Sequence, residues 1–526
     1  MIIPAEINGK PVSAITWWVQ RPKRRLKGAF EDSGLTNVII PDSVVYIGWG
    51  AFQDNLLSSI SIPNSVVFVG NHAFRNNQLT SVIIPDTVTS IGNRAFSNNQ
   101  LTSVTIPYSV ICIQDYAFEY NQLTSVSIPR NIISLSGFNN NQLTNITIPD
   151  SITSIEWSAF MNNNITSVII PDSVTCLSGF SNNNLTNITI PESVSSIGSW
   201  AFYNNNLTSI IIPDSVISIS WRAFQNNQLT SVIIPDGVTS IGEWAFMGNN
   251  LTSITIPDGL TSIGRYVFAN NQLTSVTIPR NVTSINGSAF VANRSLEEIR
   301  VAQDNTHFVA VDGVLFDVDR TRLIKFPGGR TGHYTIPDSV TTIEAHAFRG
   351  GTLTSVTISR NVTNIESGAF AANRNLHEIR VDQNNTYFVA ADGVLFNMSR
   401  NQLIQFPGGR EGHYTIPDSV NFVGDSAFKG GSLSSVTIPN RVTAIGNWAF
   451  QDNYLTSVII PSGTTTIGAW AFYNNLLTSV TIGANVNRRI GSPSIGGSFE
   501  TFYINNGRRA GTYIRSYANS TDWRLE

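Results

Sequence analysis

Phenylalanine recurs along this chain at a fixed interval, and that interval decides what the chain can fold into. It stands at Phe30, Phe52, Phe74, Phe96 and Phe118, then at Phe138, Phe160, Phe180, Phe202, Phe224, Phe246, Phe268 and Phe290. The step is 22 residues, shortened to 20 into Phe138 and Phe180, and the beat resumes at Phe348, Phe370, Phe428, Phe450 and Phe472. Self-similarity at so short a period marks stacked supersecondary units, not a series of separate cores. The 526 residues therefore do not imply the three or four domains their number would otherwise suggest.

One period, "LTSVIIPDTVTSIGNRAFSNNQ" over residues 79–100, keeps Leu79, Val82, Ile84, Val88, Ile91, Ala95 and Phe96 apolar. The L-x-x-V-x-I spacing predicts a short strand with alternate residues pointing inward. Pro85 ends that strand because it has no N–H to donate. Asp86 and Thr87 suit a turn, "VTSI" a second extended piece on the opposite side, and "NRAF" one helical or 3-10-like turn. Seven apolar side chains cannot offset the ordering of 22 residues, so each period has to lend both faces to its neighbours. "NNQ", "NNN" and "GNN" fall at the corners, where a side-chain amide can bond backbone groups left unpaired by the turn. Asn164, Asn184, Asn187, Asn206 and Asn250 also form N-x-T sequons. A glycan there requires a eukaryotic secretory route, so we read these asparagines as part of the corner ladder.

Residues 79–100 resemble the leucine-rich repeat of the BspA-like type, also called the Treponema pallidum type. That family's pattern is L-x-x-L-x-L-P-x-x-L-x-x-I-x-x-x-A-F followed by a corner, and the resemblance covers about residues 35–482. This chain departs from it in carrying Asn at the corner where the family often has Cys. The resemblance implies a repeat solenoid with a parallel β-sheet on the concave face, short strands or 3-10 turns on the convex face, and about 22 residues per coil. It also implies a bacterial cell-surface or secreted protein that adheres to host or microbial partners.

Five regions follow from the pattern. Residues 1–34 form an N-terminal partial coil with a basic insertion, "WWVQRPKRRLKG" at 17–28, read as a solvated loop with an anionic partner as the alternative. Residues 35–293 are regular repeats. Residues 294–417 hold a block duplicated at an interval of 80, beginning at Arg294 and Arg374, whose alternating apolar residues around Val314, Phe316, Leu323, Lys325 and Phe326 predict a β-hairpin or a wide extra coil. Residues 418–482 are regular again, and the aromatic, Arg-rich segment 483–526 is read as a cap over the last coil, similar to the tail of spirochaete members of the family. The coils ending in "LSGF" at Phe138 and Phe180 are shortened and predict a local change of curvature. Because "IIPAEINGKPVSAI" starts at the end of a strand, Met1 falls inside a coil, and a chain trimmed from a longer one or a late gene start is expected; the missing signal-peptide pattern is then uninformative.

Composition excludes several partners. Charged residues make up 13% and the net charge is −3, so nothing draws the whole chain to nucleic acid or an anionic membrane. No apolar run is long enough to span a bilayer. Cys112 and Cys176 occupy one slot three coils apart, roughly 14 Å at the spacing of stacked strands and too far for a disulfide; both are read as partly buried.

Chemistry has to be sought in exceptions to the columns. His72 and His346 precede Ala-Phe, while His333 and His413 are duplicate partners in "GHYTIP"; none has metal-ligand spacing, and no hydrolase, zinc-protease or dinucleotide motif occurs. "DVDRT" at 317–321 could suggest a calcium loop, but its copy reads "NMSRN". "FPGGR" is read as a turn. Asp214, Asp236 and Asp258 stack after the Pro and are read as turn residues. Ser103 and Thr105 should point outward beside inward Val104 and Ile106. The ligand-binding candidates are Trp200, Trp221 and Trp244 on three consecutive coils, and Trp448 and Trp470 on two more. Exposed aromatics in series stack sugars or anchor proteins, whereas the competing reading has each Trp roofing the next coil. The expectation is a non-enzymatic, monomeric scaffold: no catalytic, cofactor or metal residues, and a protein or glycan ligand such as extracellular matrix or other bacteria. The alternatives are a purely structural surface array and an ice- or mineral-binding lattice.

Overall fold

A non-glycine residue in the left-handed region stands two places before the phenylalanine of many periods, and this turn swings the chain into the next coil. His72, Arg94 and Tyr116 take φ of 59°, 53° and 62° there, and Trp200, Arg222 and Trp244 take 60°, 57° and 60°. A second left-handed residue marks the corner, at Asn76, Asn98 and Asn226 among others, a conformation asparagine tolerates better than most residues. The computed structural model describes residues 1–7, 10–20, 25–483, 489–490, 495 and 499–526. The chain is a solenoid of about twenty turns of parallel strands. It divides into two compact units, Met1–Leu260 and Thr261–Glu526.

In the first unit all seven apolar positions of the period 79–100 are buried, Val82 being the most exposed at 9%. Phe74, Phe96 and Phe118 stack with centroids 5.4 Å apart and planes within 11° of parallel. Each of these residues donates its backbone N–H to a carbonyl of the following coil at 2.8 Å, Phe74 to Ala95, Phe96 to Ala117 and Phe118 to Gly137. Ser103 and Thr105 face solvent while Val104 and Ile106 are buried, and on other coils the outward slot holds isoleucine, with Ile83 and Ile211 exposed at 83% and 84%. The most continuous ladder of the unit lies on the opposite side, where two-residue strands from Ser134–Leu135 to Ser240–Ile241 form a six-stranded parallel sheet.

The corner asparagines form a second column. Asn99 donates to the carbonyls of Phe74 and Phe96 at 3.0 and 3.1 Å and accepts the N–H of Leu79 at 3.0 Å. Asn77, Asn121, Asn141 and Asn163 repeat this set on their own coils. The sequon asparagines do not. Asn164 and Asn184 are exposed and the bonding residues are Asn163 and Asn183 before them, because the amide must follow Phe by three residues to reach its carbonyl.

At the shortened coils Gly137 and Gly179 adopt φ of 95° and 90°. A Cβ on Gly179 would lie 2.3 Å from the Glu156 carbonyl oxygen, so the glycines are required. The ring column opens just after each, to 6.1 and 6.2 Å. At the N-terminus Ile2 bridges to Ile39 and Ala14–Ile15 pairs with Tyr46–Ile47, extending the pattern to the first residues. The basic insertion departs from the solvated loop of the sequence reading: Trp17–Gln20 and Arg25–Gly28 pair as an antiparallel hairpin, and residues 21–24 of the tract lie outside the described residues.

In the second unit the duplicated blocks complete the beat. Strands β1 (Phe308–Val311), β2 (Val314–Asp317) and β3 (Arg322–Lys325) form an antiparallel meander, copied as β4 (Phe388–Ala391), β5 (Val394–Asn397) and β6 (Gln402–Gln405). β3 and β6 then run parallel to Thr342–Ile343 and Phe422–Val423, in the place of the usual "TSI" piece. Phe326 and Phe406 follow them and stack on Phe348 and Phe428 at 5.2 and 5.1 Å, so each block is one wide coil that keeps a ring in the column. Past Ser479–Ile482 the edge is covered by antiparallel Gly511–Ile514 and by helix α1 (Phe499–Asn505), with Phe499, Tyr503, Tyr513 and Trp523 buried together. This is the cap expected of an open sheet end, with residues 484–488, 491–494 and 496–498 outside the described residues.

Candidate functional site

The turn two and three residues before each phenylalanine is where the periods differ, and it positions the candidate tryptophans. Trp200, Trp221 and Trp244 come together in the first unit. Trp221 packs edge-on to Trp200 at 4.9 Å and to Trp244 at 5.8 Å, and Trp200 also meets Tyr203 at 4.7 Å. At their centre sits a residue the sequence reading passed over as polar filler. The guanidinium of Arg222 lies 4.9, 4.4 and 5.2 Å from the ring centres of Trp200, Trp221 and Trp244. The four side chains are half-buried and make an aromatic clasp closed around its own cation. In the second unit Trp470 packs on Tyr473 at 4.6 Å, and Trp448, 39% exposed, has the Lys429 ammonium 5.6 Å from its ring.

Other expectations resolve here. Cys112 and Cys176 are free and exposed, not partly buried, because they pair with Ser90 and Ser154 in the outward slot of "TSI". Asp214 and Asp236 are exposed turn residues. Asp317 accepts from the Thr321 hydroxyl and the Arg322 N–H, both at 2.8 Å, and Asn397 accepts from Gln402 N–H in the copy, so this loop is closed by its own first side chain bonding across its mouth. His333 lies 2.8 Å from the Ser355 hydroxyl through Nδ1 and 3.2 Å from the Thr335 hydroxyl through Nε2. His413 repeats this with Ser435 and Thr415 at 2.8 and 3.1 Å. Hydroxyls occupy both ring nitrogens, whereas a histidine activating serine needs a carboxylate on its second nitrogen. Among the described residues no group of three or more His, Cys, Asp or Glu is placed to hold a metal ion.

Lys325 was read only as part of a hairpin pattern, yet it is buried, 1% exposed, and donates from Nζ to the His346 carbonyl at 3.0 Å. Burial, aided by the Arg349 guanidinium, pulls its pKa down from 10.5 to about 7. The copy places Gln405 in the same slot, donating to the Phe406 and Ala427 carbonyls at 2.9 and 3.0 Å. Between pH 7 and 10.5 the unfolded chain keeps a proton that the native chain has released, so this residue makes stability rise with pH across that window. Lys325→Gln is expected to raise the denaturation midpoint more at pH 6 than at pH 10; an equal change at both would contradict the buried-charge explanation.

The family comparison agrees with this architecture. The BspA type Leucine rich repeat region matches in six copies, over residues 26–137, 68–179, 113–230, 176–297, 326–409 and 412–509. The chain belongs to the BspA-type leucine-rich repeat family. No curated protein gives a significant sequence match. Among solved structures, the chain is similar to a leucine-rich repeat protein from Eubacterium ventriosum at 26% identity, covering 59% of this chain and 86% of that one with a TM-score of 0.40. It is similar to a leucine-rich cell surface protein from Faecalibacterium prausnitzii at 25% identity, covering 71% and 86%, TM-score 0.40. YopM from Yersinia enterocolitica is similar at 14% identity over 89% of each chain, TM-score 0.41. No helix among the described residues is long and apolar enough to cross a membrane.

Proposed function

We propose that this chain is a non-enzymatic binding scaffold, displayed on the cell surface or secreted, for a protein or glycan ligand of host or microbial origin. The observation that carries this reading is the clasp of Trp200, Trp221 and Trp244 around Arg222. Aromatic rings and an arginine, held on left-handed turns of a rigid stack, lose little freedom on contact and offer both apolar area and charge. Contacts spread along many coils would add by avidity. The non-enzymatic part rests on the hydroxyl partners of His333 and His413 and on the turn role of Asp317.

A second reading, a structural array without a dedicated ligand, is favoured by one observation: the three tryptophans pack on one another and already enclose a cation. The test is to screen the purified chain against extracellular-matrix proteins, glycans and bacterial cells. Saturable binding to at least one is expected, and its absence from all three would leave the structural array as the better reading.

A further inference from the structure

The wide coils have a consequence on the turn side of the second unit. From the last "TSI"-type residue to the ring there are three residues in Leu323–Phe326 and in Leu403–Phe406, against five in Ile343–Phe348. The wide coils therefore lack the left-handed turn that other coils carry, and the turns on either side of them close together. A Cβ on Gly287 would lie 2.4 Å from the Ala345 carbonyl oxygen, and Ala372 donates its N–H to the Lys429 carbonyl at 2.8 Å. Turns belonging to the Phe290 and Phe348 coils, and to the Phe370 and Phe428 coils, thus meet directly over the coils of Phe326 and Phe406.

This convergence builds a cleft of about 390 Å³, within the ~300–1,000 Å³ range of small-ligand sites. Its cations are Arg265, Arg349 and Lys429, and no carboxylate lines it. Glu366 and Asp425 are turned to backbone donors, at Ala345 and Asn447, while Asp452 acts on Lys429 from outside the lining. Two aromatic side chains stand in it: Tyr266, whose hydroxyl accepts from Arg349 at 2.7 Å, and Trp448 with its ring partly open. The rest of the polar lining is neutral, from Asn286, Ser288, Ser367, Ser426 and the half-buried His346. Below it lies buried Lys325, tied to the His346 backbone.

The fold does not demand this concentration of charge. Gln405 fills the slot of Lys325 in the duplicate block, and the recess beside that coil is lined by Glu366, Gln405 and Asp425 instead. The cations repel one another: burial, then Arg349, Lys325 and Lys429, together pull His346 down to about 3, and burial with Arg349 holds Lys429 at about 8.

We propose that this cleft binds an anionic saccharide, its sulfate or carboxylate held by Arg349 and Lys429 and a sugar face resting on Trp448. Arginine's planar fork matches an oxyanion, an indole face matches the apolar side of a sugar ring, and the neutral serines and Asn286 match its hydroxyls. An acidic peptide would satisfy the cations, but the indole of Trp448 beside several neutral hydroxyls matches the alternating apolar and hydroxyl faces of a sugar more closely. The inference shares with the scaffold reading only the premise of a glycan ligand, and it concerns a different surface from the Trp200–Trp244 clasp.

Titration calorimetry of the full chain tests it, with a heparin-derived sulfated disaccharide, N-acetylneuraminic acid, lactose and inorganic sulfate as separate probes. Saturable heat is expected from at least one of the two anionic sugars, which identifies the acid group, and none from lactose. Arg349→Gln with Lys429→Gln should weaken that binding about tenfold or more, since charge-assisted bonds dominate recognition of an oxyanion. Trp448→Ser should weaken it as well, while changing Trp200, Trp221 and Trp244 to Ser should leave it intact. Lys325→Gln, a replacement the chain itself tolerates at Gln405, keeps the test valid if the double variant unfolds, and should also reduce affinity. Heat from neither anionic sugar, affinity unchanged in the cleft variants, or inorganic sulfate binding as tightly as the sugars would each overturn the proposal. Binding lost only in the tryptophan triple variant would overturn it too, and would place the glycan on the clasp.

Discussion

Phe96→Ala is expected to destabilise the chain by about 3–5 kcal/mol, the range for emptying a fully buried aromatic site. Phe96 is 0% exposed and stacked at 5.4 Å on both Phe74 and Phe118, so its loss opens a cavity with rings on two sides. Neither neighbour can close the gap, because each is fixed by the backbone bond from its own N–H to the next coil, Phe74 to the Ala95 carbonyl and Phe118 to the Gly137 carbonyl. In a stack stabilised by nearest-neighbour interfaces the damage stays local first. Native-state hydrogen exchange should therefore show amides of the coils around Phe74, Phe96 and Phe118 losing protection well before those near Phe202 and Phe224. Uniform loss of protection along the first unit would contradict a nearest-neighbour stack.

Asn99→Ala should rank second, at about 2–4 kcal/mol, although it removes a polar side chain from a corner. The substitution leaves the Leu79 N–H and the Phe74 and Phe96 carbonyls without the amide they share, in a place buried from water. The adjacent Asn98 gives the contrast. It is exposed, takes φ of 56° and bonds only the Asn76 side chain from its amide, so Asn98→Gly should change stability by about 1 kcal/mol or less. Thermal or urea denaturation of the pair checks this, and equal effects from both would mean that the asparagine column does not hold the corner.

The contrast also marks how far the letters could be read. The seven apolar positions, the strand stop at Pro85 and the end cap follow from periodicity and from the absence of a donor on proline, which are local properties. Deciding which of two neighbouring asparagines is buried needs the reach from corner to Phe carbonyl, a distance fixed only by the turn. Phe326 and Phe406 stand 22 residues before Phe348 and Phe428 but 36 after Phe290 and Phe370, and the "FPGGR" they open, read as a turn, hid them as rungs. Cys112 and Cys176 were misjudged because small apolar-looking residues also fit an outward slot paired with serine. Arg222 was missed since its column accepts any polar residue, and its role arises only when three tryptophans on different coils converge. The cleft of Arg349 and Lys429 was less legible still. It depends on two coils each losing a turn, so that side chains distant in sequence, such as Tyr266 and Arg349, meet.

Binding through the turn slots, with the repeated positions acting only as frame, is tested most directly by a variant in which Trp200, Trp221 and Trp244 are all changed to Ser. It should be measured, alongside thermal denaturation, against a ligand from the surface screen whose binding Arg349→Gln with Lys429→Gln leaves unchanged. The expected result is a loss of about tenfold or more in affinity, as for removal of central aromatic anchors, with the fold still cooperative. Affinity equal to that of the unmodified chain, with folding intact, would contradict the claim and leave the clasp a structural device.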